Sequence, residues 1–263
     1  MLTTPDVARK INREVVLLLG WTPAILLQFA HPLVAAGVGA HSGFRGARAA
    51  RLQRLRSTLG AMLALTFGTP AEVQRAADGI NKIHDRINGR LATSMGLFPA
   101  GTAYSAHDPA LLRWVQATLL DVLPRAYELY VGPLTPREKD RYCLEASGLG
   151  RLLGAPPGYF PASLDELRRY MGRMYASGLI EVTPLARSLA RELLDWPAPP
   201  VAGPLVWLGR LPAVGLLPPP IRRAYGFRWG PRHRAALEVS AALARRTLRF
   251  APSPLRRWPA ARR

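Results

Sequence analysis

A single cysteine, Cys143, leaves this chain of 263 residues without an internal disulfide, a cysteine-bound zinc or a cysteine-held iron–sulfur cluster. Lysine is nearly missing too. Lys10, Lys82 and Lys139 are the whole supply, so the 36 basic residues are mostly arginine, set against 17 acidic ones. Acids are themselves absent from one long stretch, with none between Glu14 and Glu72. No segment alternates apolar and polar residues over a strand's length, which argues against a β-rich fold. A hydrophobic content of 49% excludes a disordered chain. No secretory signal is expected at the N-terminus, because Asp6 and Glu14 lie there and no A-x-A pattern follows the apolar run.

What is present begins with that apolar run. From Val15 to Phe44 no residue is formally charged, long enough to suggest a membrane span. Pro23, Gln28, His31 and Pro32 interrupt it, so two buried helices fit better, with the break read at Trp21-Thr22-Pro23. A net charge of +19 favours acidic surfaces, anionic lipid ahead of nucleic acid. Part of the arginine excess, beside heavy Ala, Gly and Pro use, matches a GC-rich genome. The expected location is cytoplasmic, peripheral to a membrane where the basic surface meets one.

Helix starts repeat one signature, an oxygen-bearing cap followed by proline. Thr4-Pro5, Thr22-Pro23, Thr69-Pro70, Asp108-Pro109, Thr135-Pro136 and Thr183-Pro184 all carry it. Thr69 with Glu72, Thr135 with Glu138 and Ser163 with Glu166 add the spacing of the reciprocal capping box. Behind the caps run helical stripes such as Leu112, Val115, Leu119, Val122, Ala126 and Leu129. The expected fold is all-α, a multi-helix globular bundle of about nine or ten helices. Residues 1–196 form its core. Residues 197–263 supply a proline-broken connection, a last helix over 231–250 and a basic tail, packed on the same domain. In the tail, Phe250 and Trp258 sit among arginines, a mixture suited to the headgroup region of a bilayer. The other reading of the tail is a solvated end.

One stripe carries an imidazole. Val73, Ala77, Ile80, His84, Ile87 and Leu91 recur in steps of three and four, the spacing of one helix face turned to a core. A histidine there is either a hydrogen-bonded core residue or a ligand. His31, His41, His107 and His233 are scattered, so zinc has no partner set, whereas haem needs one protein ligand only. In "RLRST", Arg54 and Thr58 lie four apart on one helical face that continues into Leu65 and Phe67. Arg45, Arg48, Arg51 and Arg56 surround them, a basic stretch suited to neutralising buried anions or simply to facing solvent.

Taken in order, "LLQFAHPLVAAGVGAHSGF", "RLRSTLGAMLALTFGT", "INKIHDRINGR", "YSAHDPALLRWV", "VGPLTPREKDRYCLE" and "LGAPPGYFPAS" resemble the oxygenase MpaB and rubber oxygenase (latex-clearing protein) family. The resemblance runs from about Leu17 to Leu194. It implies an all-helical protein with a globin-like core holding one b-type haem, with His84 as the axial ligand to iron. It also implies that Arg54 and Thr58 match the family's Arg-x-x-x-Thr pair beside the haem, with dioxygen and an apolar, isoprenoid-like alkene as partners. Arg54 would hydrogen-bond either bound oxygen or a propionate, and both roles stay open. The rubber-cleaving members are credited with a glutamate upstream of that pair, and this chain has no carboxylate between Val15 and Ala71. His31 or His41 are the substitutes for that base. The other function class is a non-catalytic membrane-surface protein, or a haem carrier or sensor.

Overall fold

Helix follows helix in the computed structural model. It describes residues 6–41, 48–195 and 203–262, without the side chains of 48–52, 54, 55, 203–206 and 262. The N-terminal third holds α1 (Asp6–Asn12), α2 (Leu18–Phe29), α3 (Pro32–His41), α4 (Arg48–Phe67) and α5 (Pro70–His84). A two-stranded antiparallel sheet follows, β1 (Asn88–Arg90) paired with β2 (Ala103–Ser105) so that Gly89 faces Tyr104. Then come α6 (Pro109–Tyr130), α7 (Pro136–Ser147), α8 (Leu149–Leu152), α9 (Leu164–Ala176) and α10 (Pro184–Leu194). The last elements are α11 (Gly203–Gly215), α12 (Pro219–Ala224), α13 (Pro231–Phe250) and α14 (Ser253–Arg256).

Four of the six caps followed by proline start the helices they were expected to start. Thr69, Asp108, Thr135 and Thr183 each accept a hydrogen bond from a first-turn N–H, and Thr69 and Thr135 complete the capping box. Ser163 makes half of one. Its hydroxyl accepts from Glu166 N–H, but the Glu166 carboxylate turns back to Ala162 N–H instead. Thr4-Pro5 lies outside the described residues.

Around α6 the core assembles. Trp114, Ala117, Leu120, Val122, Leu123 and Ala126 of this helix are buried, chiefly against α2. Gly20 lets the two backbones approach, since a Cβ there would lie 2.8 Å from Ala126 Cβ. That contact corrects the expected break at Trp21-Thr22-Pro23. α2 runs unbroken through Pro23, because the burial of Pro23, Ala24, Leu26 and Leu27 outweighs one missing backbone hydrogen bond. The chain bends by 107° instead at Ala30-His31, between the segments Val15–Phe29 and Pro32–His41. Among the described residues no single helix is long and apolar enough to cross a membrane, and this bent pair lies largely in the core.

Two further expectations change. From Gly203 the expected proline-broken connection is helical: α11 forms across Pro212 and packs on α2 and α13, with Leu211 and Ala213 buried. The C-terminal tail from Arg256 to Trp258 is not a free solvated segment but is bound to the start of the chain. Glu14, fully buried, receives both Arg256 Nε (2.6 Å) and Arg256 Nη2 (3.1 Å), while Trp258 N–H donates to the Arg13 carbonyl. Trp258 itself faces a small pocket shared with Leu17, Trp21, Leu59 and Met62. The C-terminus thus clasps the start of the chain and the middle of α4.

Candidate functional site: an apolar cavity with one unpartnered imidazole

The stripe that carries His84 ends with it. α5 closes at His84, where Arg86 N–H turns back to Ile83 and Ile87 N–H to His84, tightening the last turn. Ile87 and Leu91, expected on the same helix, belong to the turn and the strand edge beyond it, yet both stay on the inner side. The reversal needs Gly89, because a Cβ there would come within 2.7 Å of the Tyr104 hydroxyl. The imidazole is therefore presented from a helix end.

It faces a cavity of about 1150 Å³. One wall is α4 and α5, with Thr58, Ala61, Leu65, Val73, Ile80 and His84. The other comes from α2, α3 and α6, where Ile25, Val34, Val38, Leu112, Val115 and Leu119 line it. Two histidines of the expected set thus reach one space, His84 and His41, together with Thr58. Arg54 lies on α4 one turn before Thr58, but its side chain is outside the described residues, as are those of Arg48 and Arg51, while Arg45 is not described at all. Arg56 is exposed.

The two ring nitrogens of His84 meet little that is polar. Nδ1 is buried and has no hydrogen-bond partner. The His107 ring stands edge-on at 5.7 Å between centroids, and His107 Nε2 pairs with Asp85 at 2.8 Å. Burial holds the His84 pKa below the ordinary histidine value, His107 lowers it further and Asp85 opposes both. His84 is thereby kept as the neutral imidazole, the form that binds a metal.

His31 goes elsewhere. It is buried at the α2–α3 bend against Phe98, with ring centroids 5.5 Å apart, and does not line the cavity. As a stand-in for the missing base it is out of place, because no face of it reaches the space that His84 reaches. His41 does line the cavity, but its Nε2 is occupied by the Asn88 carbonyl at 3.0 Å, with the Tyr104 hydroxyl 3.5 Å away.

Several lining residues had no sequence signal. Gln28 and Gln116 face the cavity from α2 and α6, and Arg9 and Arg86 from its margins. Glu145 is the carboxylate that the wall contains, and it comes from α7, far along the chain from Arg54. It is already engaged: Ala8 N–H donates at 2.8 Å, Val7 N–H at 3.4 Å and Arg141 Nε at 2.8 Å. Both oxygens of Glu145 thus accept hydrogen bonds, which anchors the start of α1.

Haem b fits the residues that line this space. Its volume exceeds the range of about 300–1000 Å³ typical of small-molecule pockets, which leaves room for a large planar group beside a second ligand. Its walls are mostly apolar, Arg9 and Arg86 supply positive charge among the lining residues, and the buried Nδ1 of His84 has no hydrogen-bond partner. A family model described as the ER-bound oxygenase mpaB/B′/rubber oxygenase catalytic domain matches residues 8–246. The uncharacterized proteins Mb2261 of Mycobacterium bovis and Rv2237 of Mycobacterium tuberculosis are each 25% identical over 190 residues, covering 71% of this chain and 70% of theirs. No solved structure matches the chain.

Proposed function

We propose that this chain, which belongs to the mpaB/rubber oxygenase catalytic-domain family, is a haem b-dependent oxygenase that uses dioxygen on an apolar alkene, isoprenoid-like in class. The observation that carries this reading is the convergence of His84 and Thr58, from separate helices, on one large apolar cavity, with no hydrogen-bond partner at the buried Nδ1 of that imidazole.

When bound, haem b supplies an iron centre for dioxygen chemistry, which the side chains of this protein lack. His84 would hold it. A neutral imidazole ligates without first losing a proton, so the burial that lowers its pKa also readies it as a ligand. The Thr58 hydroxyl can donate a hydrogen bond into the same space, and Arg54, whose position on α4 is one helical turn before it, is assigned to hydrogen-bond either dioxygen or a propionate. Val34, Val38, Leu112, Val115 and Leu119 exclude water and favour an alkene chain over anything charged. Among the described residues the carboxylate of the cavity wall is Glu145, which is held by three donors and comes from α7, not from upstream of Arg54. That difference favours a substrate other than rubber, and it is the one feature that also suits a haem carrier or sensor.

The test begins with colour. Purified protein supplied with haemin should show a Soret band, and His84→Ala should lose it while keeping its helical circular dichroism. Equal haem content in the two proteins would remove His84 from the site. Oxygen uptake on adding an isoprenoid then separates an oxygenase from a carrier, which consumes none.

A further inference from the structure

The last long helix presents two faces. Leu237, Ala241, Ala244 and Leu248 face inward, where Leu237 and Ala241 are buried with Leu211 of α11 and Tyr130 of α6. Arg232, Val239, Leu243, Arg246 and Phe250 follow in steps of seven, four, three and four, which align them on the opposite face, and all five are exposed. Phe250, Leu255 just beyond the helix, and Val239 are the three most exposed large apolar side chains among the described residues, at 82, 75 and 68%, with Leu243 at 62%. Trp207 and Leu208 of the neighbouring α11 are exposed as well. Arg245 and Arg249 flank the stripe, and Glu238 is the sole acid on the helix.

We propose that this outward face of α13, from Arg232 to Phe250 and continuing to Leu255, is a docking surface for an anionic lipid bilayer. Exposed apolar side chains of this size on a solvated helix are a standing loss that a partner would remove. Interleaving them with arginines suits the headgroup region, where an aromatic or aliphatic tip enters the acyl boundary and a guanidinium remains at the phosphates. A second copy of the chain fits worse. Each protomer carries a net charge of +19, and a symmetric contact would bring Arg245, Arg246 and Arg249 of one against those of the other. Nucleic acid would engage the arginines but leave Val239, Leu243, Phe250 and Leu255 unused. The proposal is independent of what the cavity holds. It also shifts the membrane contact from the tail, where Trp258 is turned inward and Arg256 is bound to Glu14, to the helix before it.

Vesicle sedimentation of the full chain tests this. Binding to phosphatidylcholine vesicles containing phosphatidylglycerol should exceed binding to phosphatidylcholine alone and should fall with added salt. Leu243→Glu with Phe250→Glu should weaken it by at least ~10-fold. Arg245→Gln, Arg246→Gln and Arg249→Gln should each weaken it roughly fivefold. Phe250→Ser alone, a milder change at the most exposed position, should lie between wild type and the double variant, and circular dichroism should be unchanged in every case. Leu144→Glu, at an exposed position on α7, should bind like wild type. Vesicle binding unaltered by the double variant overturns the proposal. So does wild-type protein that ignores anionic vesicles or that binds a short RNA duplex more tightly than vesicles through the same arginines, and so does a wild-type dimer that the double variant abolishes.

Discussion

At the scale of the residue, His31 and His84 begin from the same circumstance, an imidazole in an apolar run, and end differently. Burial lowers both pKa values, that of His31 to about 4 with Asp108 opposing weakly. For His31 this has a pH consequence. Its folded pKa lies below the unfolded value of 6.5, so the unfolded chain takes up the proton first as pH falls. Stability is therefore unaffected above pH 6.5 and declines between pH 6.5 and about pH 4, by about 3 kcal/mol in all from this one group. Urea unfolding of wild type and His31→Gln, followed from pH 7 downward, should show a shallower decline in the variant. Parallel curves would mean that His31 is not buried neutral. The helical stripe and the ordered motifs singled out His84, but nothing in the sequence placed His31 in the core, because neighbours such as Phe98 that bury it come from elsewhere in the chain. Gln28 and Glu145 show the same limit. Their place on the cavity wall comes from helices that meet only in the folded chain.

At the scale of the element, capping was legible and continuity was not. A cap is decided by an oxygen and an N–H within three residues of each other, so Thr69-Pro70, Asp108-Pro109, Thr135-Pro136 and Thr183-Pro184 mark helix starts by local chemistry alone. Thr22-Pro23 carries the same letters inside a helix, because packing of α2 on α6 overrides the local preference. The stretch around Pro212 misleads for the same reason. The clasp between the tail and Glu14 had no sequence signal at all, since its partners stand at opposite ends of the chain. It has a measurable consequence. Arg256→Ala would leave Glu14 buried without its bidentate partner, with Arg13 at 3.3 Å beside it, and should destabilise the protein by about 3 kcal/mol. Denaturant midpoints check this, and a change under about 1 kcal/mol would mark the clasp as a surface contact. A chain ended at Phe250 should be destabilised in the same way, so loss of stability has to be separated from loss of lipid binding in any truncation.

At the scale of the whole molecule, the cavity is the feature that a small globular protein would ordinarily fill. Interiors pack near the density of organic crystals, and a void of about 1150 Å³ forfeits the contacts that its lining would otherwise make. A ligand that occupies it should stabilise the fold by mass action, about 4 kcal/mol at a thousand times its Kd. Thermal unfolding with and without haemin measures this. The wild type should melt higher with haemin, and the His84→Ala protein should gain much less. An unchanged wild-type melting temperature would mean that haem does not occupy the cavity.

The amino-acid sequence by itself determined the helical class, most helix starts, the basic surface, and the pairing of His84 with the Arg54–Thr58 helix as candidates. Each of these rests on periodicity, on composition, on a cap whose two partners lie within one turn, or on an ordered set of motifs. Only the tertiary structure decided that His84 and Thr58 share a cavity while His31 stays in the core, that α2 passes through Pro23, and that the arginine-rich end folds back onto Glu14. Those outcomes depend on burial and on charge pairs between segments remote in the chain. A local pattern of three or four residues carries no record of which distant surface will cover it.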